Sequence, residues 1–244
     1  MIILLPPSEG KAEGGTTRTA WKPSSGVLGR GLGPMRAQVA AALAAAQGGD
    51  QKLLGVKGDA LEHARAANRA LVGSPTLPAW QRYTGVVWDH LDLASMTTTA
   101  RKSAVSVIHV PSALMGLVRA DDAVPGYKLK MGASIPPVGR LSRFWHDAVT
   151  GELARLSAGN VVVDLLPQEH SAAFDWSRID NVVHIDLVSR SGGVVGGHNA
   201  KAAKGLLARH ILDSVAVTRA DRATVRKAVA SFRNAGYGAR VQPT

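Results

Sequence analysis

The sequence predicts a single domain of mixed α/β class. Short apolar segments rich in β-branched residues alternate along the chain with longer segments that have helical periodicity. The chain has 244 residues, of which 45% are hydrophobic, so it can bury one large core. No internal repeat or low-complexity linker divides it, and its Gly- and Pro-rich stretches are predicted to be loops. We therefore expect one domain over residues 1–244.

The strand predictions rest on apolar runs that end at turn residues. The first run, for example, stops at Pro6 and Pro7. In the run Tyr127–Met131, alternate residues are expected to face opposite sides of the strand. The predicted strands are Ile2–Leu5, Val105–Val110, Tyr127–Met131, Val161–Leu166, Val182–Leu187 and Ala239–Gln242.

The helix predictions rest on helical spacing of apolar residues and on glycines that end segments. Trp145, Val149 and Leu153 have this spacing, and Gly48 follows the first predicted helix. The predicted helices are Pro34–Gln47, Gly58–Leu71, Leu93–Ser103, Leu141–Leu156, Ala200–Leu212 and Asp221–Asn234. The first two belong to a helical segment over residues 34–72.

The charge balance favours an anionic partner. Lys and Arg number 29 against 18 Asp and Glu, which gives a net charge of +11. Such a surplus is typical of proteins that bind nucleic acid, nucleotides or phosphorylated metabolites, although some cytoplasmic proteins are simply basic. The positive charges are spread along the chain, so only folding can bring them together.

Several classes of protein are excluded or disfavoured. The chain has no cysteine, so disulfides, Cys-ligated metals and cysteine nucleophiles are ruled out. No signal peptide, membrane partner, metal motif or cofactor is predicted, and a cytoplasmic location is expected.

The loop after the first strand is a candidate anion site. Glycines in the segment Leu5–Gly15 allow close backbone approach, and Ser8 and Lys11 can contact an anion. The spacing is not that of a P-loop, because Ala12 follows the lysine. The alternative is a flexible surface loop.

A glycine turn between two predicted helices is a candidate DNA site. In Leu53–Leu71 the turn resembles the hairpin of helix-hairpin-helix modules, whose amides hold a phosphate. Its glycines are three residues apart instead of two, so a purely structural turn is equally compatible. The candidate DNA contacts are Gly55, Lys57, Gly58 and Arg65.

Two further segments follow strand ends. Ser112 lies at a strand tip, where ligands commonly bind in α/β sheets, and Tyr127 follows later. Lys128 and Lys130 share one face and repel each other unless an anion or a carboxylate lies between them. An exposed strand face is the alternative.

Two histidine-containing segments complete the candidate site. Glu169 and His170 follow just beyond a strand and are acid/base candidates, although adjacent Glu-His pairs are common by chance. In the helix start GGHNAKAAKG, His198 is a catalytic candidate, and Asn199, Lys201 and Lys204 are anion-binding candidates. Lysines near a helix N-terminus oppose its dipole, which predicts a phosphate or a carboxylate from Glu9 or Glu169 beside them.

Taken together, these segments resemble the YaaA family of peroxide-stress proteins. The matching pieces occur in the family's order and extend from Met1 to about Ser214: LLPPSEGK at 4–11, RYTGVVWDHLD at 82–92, PSALMG at 111–116, PGYKLKMG at 125–132, FW at 144–145, VVVDL at 161–165 and HNAKAAKG at 198–205. The chain departs from the family pattern at Met115, at Leu166 and Pro167, and at Gly197.

The resemblance implies a central mixed β-sheet flanked by helices and a positively charged cleft. It also implies binding of double-stranded DNA and a role in limiting oxidative damage, with no established reaction. The recurring family residues fall here at Lys11, Ser112, Tyr127, Lys128, Gly132, Lys201, Lys204 and Gly205.

Two functions therefore remain open, beside a purely structural role that the cost of ordering the lysine-bearing loops disfavours. The first is a cytoplasmic DNA-binding protein of the oxidative-stress response. The second is an enzyme on the same scaffold, in specialised metabolism, that acts on a small anionic or nucleotide-like substrate. For the enzyme, the candidate catalytic residues are Lys11, Ser112, Tyr127, Glu169 and His198, and they should converge in one pocket.

Overall fold

The computed structural model describes residues 1–189, 197–233 and 237–242, except the side chains of 189, 197–199 and 237. The strands are β1 (Ile2–Leu4), β2 (Thr76–Pro78), β3 (Ile108–Ser112), β4 (Gly116–Arg119), β5 (Ala123–Pro125), β6 (Ser134–Ile135), β7 (Gly139–Arg140), β8 (Val162–Asp164), β9 (Val182–Ser189) and β10 (Tyr237–Val241). The α-helices are α1 (Gly29–Ala45), α2 (Gln51–Leu54), α3 (Asp59–Arg69), α4 (Ala79–Arg82), α5 (Val86–Leu91), α6 (Thr98–Val107), α7 (Leu141–Ser157), α8 (Gln168–Ser171), α9 (Gly197–Ser214) and α10 (Arg222–Ser231). Single 3-10 turns occur at Thr17–Thr19, Leu93–Ser95, Trp176–Arg178 and Val217–Arg219.

A six-stranded mixed sheet forms the centre of the domain. Its strand order is β10-β9-β8-β1-β3-β4, with parallel pairing from β9 through β3 and antiparallel pairing at both ends. All residues of β1, β3 and β8 are buried. Parallel strands covered on both sides have continuous apolar sequences, which is why these runs were recognisable without alternation. The prediction of a single mixed α/β domain is confirmed.

The order of the strands reverses beside β1. From β1 the chain goes to β3 on one side, and β8 is later added on the other side. In open α/β sheets, the loops that leave two such neighbouring strands diverge and leave a crevice at the carboxyl edge. The fold therefore places a crevice between the loop after β1 and the loop after β8.

Three predicted elements differ from the structure. The predicted strand Val105–Val110 is helical up to Val107 and extended only from Ile108. This helix, α6, starts at an N-cap in which Thr97 accepts a bond from the Ala100 amide, so its register is set from the upstream end. The predicted helix Leu93–Ser103 is interrupted before Thr97: residues 93–95 form a 3-10 turn, and α6 begins after this cap.

The segment Tyr127–Met131, predicted as a strand, is in no sheet. Its residues nevertheless alternate between buried and less buried, as in an extended chain. The side chain of Asn68 replaces a strand partner: its Oδ1 accepts from the Lys128 amide at 3.0 Å, and its Nδ2 donates to the Lys128 carbonyl at 2.9 Å. The same Nδ2 also donates to the Gly48 carbonyl at 2.9 Å. The buried amide of Asn68 thus fixes the segment Tyr127–Met131, the lysine segment, to α3 and to the turn after α1.

Buried Arg82 holds the glycine loop that follows β1. Its guanidinium donates to the carbonyls of Ala12 and Gly14 on that loop, and to the carbonyl of Val124 on β5 at 3.1 Å. One guanidinium thus satisfies three backbone carbonyls, of which that of Val124 is buried. The loop is therefore anchored next to the crevice.

Among the described residues, no helix combines the length and the apolar character that crossing a bilayer requires.

Candidate functional site

A cleft of about 60 Å³ occupies the crevice at the carboxyl edge of the sheet. Its walls come from the loop after β1, the 127–131 segment and α8. The lining residues are Pro7, Ser8, Glu9, Lys11, Ala113, Lys128, Leu129, Lys130, Met131, Glu169 and His170. A larger cavity of about 250 Å³ lies between α6 and the end of α9, but no Lys or Arg lines it. The smaller cleft is where cationic and acid/base groups meet.

Lys11 is the most enclosed amine of the cleft. Its Nζ donates to the Ser8 carbonyl at 3.1 Å and lies 4.1 Å from the ring centroid of Tyr127. Burial lowers the pKa of Lys11 to about 7, the positive charge of Lys128 adds to the lowering, and Glu9 opposes it. At neutral pH a substantial share of this amine is therefore uncharged.

Three hydroxyl groups form a chain behind Lys11. The Tyr127 hydroxyl lies 2.8 Å from Ser112 Oγ and 3.1 Å from the Tyr83 hydroxyl. Ser112 Oγ also accepts from the Met115 amide at 3.1 Å. Burial raises the pKa of Tyr127, and that of Tyr83 well above its usual range, so both phenols stay protonated at neutral pH. Lys11, Ser112 and Tyr127 thus lie together with Tyr83, although of these only Lys11 is among the residues that line the cleft.

Lys128 and Lys130 share one carboxylate. Their Nζ atoms lie 3.6 and 3.3 Å from the two carboxylate oxygens of Glu9. Burial alone would raise the pKa of Glu9, but these two lysines hold it below its ordinary value. A carboxylate between the two lysines is one of the two partners that their spacing predicted.

Glu169 and His170 close the cleft on the side of α8. Glu169 accepts from the Gly132 amide at 3.2 Å, so it fixes the end of the lysine segment. Burial lowers the pKa of His170. The charge of Glu169 opposes this lowering, and the charge of Lys204 adds to it. Its Nδ1 is buried and has no hydrogen-bond partner within the described part of the chain. Glu169 and His170, the adjacent acid/base candidates of the sequence, thus both line the cleft.

The charge of Asp164 acts on Lys204, near the start of α9. Burial lowers the pKa of Lys204 to about 8, and the charge of Asp164 opposes this lowering. The carboxylate of Asp164 also accepts from the Leu166 amide at 2.9 Å, and its other oxygen lies 2.8 Å from His184 Nδ1. Glu9 is paired with Lys128 and Lys130, and the expectation that Glu9 or Glu169 faces the lysines of this helix remains a prediction. Lys201 is exposed.

The side chains of His198 and Asn199 lie outside the described residues, so their predicted roles remain predictions.

The glycine turn lies beside the cleft. Gly55 ends α2 in the left-handed conformation, with φ 67°, and a Cβ there would lie 3.6 Å from Lys130 Nζ. Gly58 also has a positive φ, and Lys57 is exposed. Arg65 instead contacts Glu62 at 3.1 Å and the Gln47 carbonyl at 3.4 Å, so its guanidinium is engaged within the helical segment.

The donor set of the cleft suits an anion better than a cation. Lysine amines predominate, and within the described residues no group of three or more His, Asp or Glu is placed to hold a metal ion.

Comparison with known proteins identifies the family. The family model described as "Peroxide stress protein YaaA" matches residues 1–239. A UPF0246 protein of Streptomyces coelicolor is 32% identical over 220 residues, covering 87% of this chain and 83% of the relative. UPF0246 proteins of Corynebacterium glutamicum and Corynebacterium efficiens are 30% and 31% identical, covering 86% and 88% of this chain and 84% and 86% of the relatives. This chain therefore belongs to the YaaA (UPF0246) family of peroxide stress proteins.

Proposed function

We propose that the cleft binds and transforms a small substrate that carries a phosphate or carboxylate group, as part of a cytoplasmic response to oxidative stress. The observation that carries this proposal is the excess of amines over carboxylates in one cleft. Lys11, Lys128 and Lys130 converge there, and Glu9 is the carboxylate that pairs with two of them. Like charges at this spacing are stabilised when an anion joins them.

The groups around the amines support a reaction as well as binding. Glu169 and His170 line the cleft and can exchange protons, and the Tyr127 hydroxyl belongs to a buried chain with Ser112. Nucleotide-like molecules fit the same charge requirement through their phosphates. The proposal names the substrate by its anionic group, because that group is what the lysines can recognise.

Binding of inorganic phosphate and pyrophosphate tests the anion site. We expect Lys128→Ala and Lys130→Ala each to weaken binding about tenfold or more, since a charged hydrogen bond contributes about 1.5–3 kcal/mol. Titration calorimetry on the full chain measures the dissociation constants. Lys227→Ala, which removes an exposed lysine on α10, is the matched control and should bind as the unmodified protein does. Equal affinities in all four proteins would rule the site out.

Double-stranded DNA is a second candidate ligand. The position of the Gly55–Gly58 turn beside Lys130, with Lys57 exposed, favours a phosphate contact at this point. The net charge of +11 favours sequence-tolerant binding to the backbone.

Fluorescence anisotropy with a labelled duplex tests this second function. We expect binding that falls steeply with salt, and we expect Lys57→Ala to reduce the salt slope by about one. Lys227→Ala again serves as the control for simple loss of charge. Absence of binding at about 50 mM salt and micromolar protein, where nonspecific binders normally register, would exclude DNA as a ligand.

A further inference from the structure

The amine of Lys11 is held differently from the other two amines of the cleft. Lys128 and Lys130 face the carboxylate of Glu9, at 3.6 and 3.3 Å. Lys11 Nζ has a backbone carbonyl at 3.1 Å and two aromatic rings, Tyr127 at 4.1 Å and Tyr83 at 5.6 Å to the centroids. Within the described residues, no carboxylate oxygen lies within 4.0 Å of it. Anion binding alone does not require an amine in this setting.

Burial and two nearby cations favour the neutral form of Lys11. Burial lowers the pKa to about 7, and the nearby charges of Lys128 and Arg82 act in the same direction. A lysine with the ordinary pKa of about 10.4 is neutral at pH 7 in only about one molecule in 2,500. An uncharged amine has a free electron pair, which is what a lysine nucleophile needs.

We propose that Lys11 forms an imine with the carbonyl carbon of a substrate whose anionic group is held by Lys128 and Lys130. The inference rests on the proposed function and specifies its substrate class: small carbonyl compounds with a carboxylate or phosphate, such as 2-oxo acids or phosphorylated aldehydes. The small volume of the cleft, about 60 Å³, favours short molecules.

The step balances without an additional reactant. The electron pair of Nζ forms a bond to the carbonyl carbon, and the carbonyl oxygen takes up a proton to give a carbinolamine. Overall the nitrogen gives up two protons and the oxygen gains two, counting the one it has already taken up. The C–O bond then breaks, water leaves and an N=C double bond remains. Glu169 and His170, which line the same cleft, are placed to exchange these protons. Nothing is oxidised or reduced.

Reductive trapping with glyoxylate tests the proposal. The full chain is treated with glyoxylate and sodium cyanoborohydride at pH 7, which converts an imine into a stable carboxymethyl-lysine that peptide mass spectrometry locates. We expect Lys11 to be modified at least about tenfold faster than exposed Lys102 and Lys227, because a larger share of its amine is neutral. Modification of Lys11 no faster than these two would overturn the proposal.

The pH profile and a neighbouring variant provide a second readout. The rate at Lys11 should level off above about pH 7, where the amine becomes neutral. In Lys128→Ala this levelling should move to higher pH, because one of the cations that lowers the pKa is gone. An unchanged profile in the variant would contradict the assigned role of Lys128.

Inorganic phosphate separates this proposal from the proposed function. Phosphate should bind and slow modification of Lys11 while leaving Lys227 unaffected. If phosphate binds through Lys128 but glyoxylate leaves Lys11 unmodified, the imine is wrong and the anion site stands. If Lys11 is modified quickly but phosphate neither binds nor protects, the amine is reactive and the anion site is wrong.

Discussion

Replacing Gly205 with alanine should lower the melting temperature by about 6–12 °C, a loss of about 3 kcal/mol for a chain of this size. Gly205 lies where α9 crosses α5. A Cβ at this position would overlap the carbonyl oxygen of Val87 and lie 2.9 Å from the amide nitrogen of Leu91. Both contacts are with backbone, so α9 must move away as a whole. Thermal unfolding followed by circular dichroism measures the loss.

Gly151 provides the matched control. It lies within α7, and nothing lies within 4 Å of a Cβ built on it. Gly151→Ala should therefore raise stability by about 0.5–1 kcal/mol, since alanine favours the helix. If both substitutions stabilise the protein, the close crossing of α5 and α9 is not the reason for the glycine in the segment HNAKAAKG.

The crossing also positions the candidate site. Lys204 precedes Gly205, and its pKa responds to Asp164 at the end of β8. A helix that moves away from α5 carries this lysine with it. Within the family segment at 198–205, Gly205 is required for packing and Lys204 supplies a charge. The sequence alone does not show which residue has which role.

Local pattern was sufficient for elements whose cause is local. The runs at β1 and β8 are apolar because both sides of the sheet are covered, and burial of all their residues confirms this. The shared face of Lys128 and Lys130 also followed from alternation. Side chains alternate in any extended chain, so the prediction that the two lysines share a face holds although the segment is in no sheet.

Pairings across long distances in the chain could not be predicted. Asn68 binds the backbone of Lys128 from 60 residues away, and nothing near Asn68 in the sequence indicates this contact. The chain of Tyr83, Tyr127 and Ser112 likewise joins residues up to 44 positions apart, and Tyr83 follows α4, which packs on β2 and β5. The only sequence signal for Tyr83 was its place within the family segment at 82–92.

The partner of Lys204 shows the same limit in its electrostatics. The helix dipole favours a negative group near the lysines, and the charge of Asp164 acts on Lys204. Asp164 ends β8, 40 residues before Lys204, so the helix sequence by itself does not indicate this carboxylate. A rule that acts along one helix cannot identify it.

Replacing Lys11 with methionine should make the protein more stable at pH 6 and have little effect near pH 10. The folded state lowers the pKa of Lys11 to about 7, whereas in the unfolded chain it is near 10.4. Between these values the unfolded state binds more protons, so the contribution of Lys11 to stability rises with pH. Below pH 7 the charged amine is destabilising, and above about pH 10.4 the cost is gone. Methionine has a similar shape and never carries this charge.

The expected gain at pH 6 is about 1–2 kcal/mol, or roughly 4 °C in melting temperature. It is smaller than the pKa change alone would give, because Lys11 is partly exposed and the Tyr127 ring and the Ser8 carbonyl stabilise its ammonium form. The tyrosines that face it, Tyr83 and Tyr127, have raised pKa values, and Glu9 a lowered one, so none of these titrates near pH 7.

Thermal unfolding of both proteins at pH 6, 8 and 10 measures this difference. Lys227→Met, at an exposed position on α10, is the control and should change the melting temperature little at any of the three. A gain at pH 6 that disappears by pH 10 means that the fold maintains an unfavourable charge at this position. A protein retains such a cost where the amine serves a ligand, which links the stability of the chain to the chemistry proposed for its cleft. A loss of stability at pH 6 would instead make Lys11 a structural residue and remove that link.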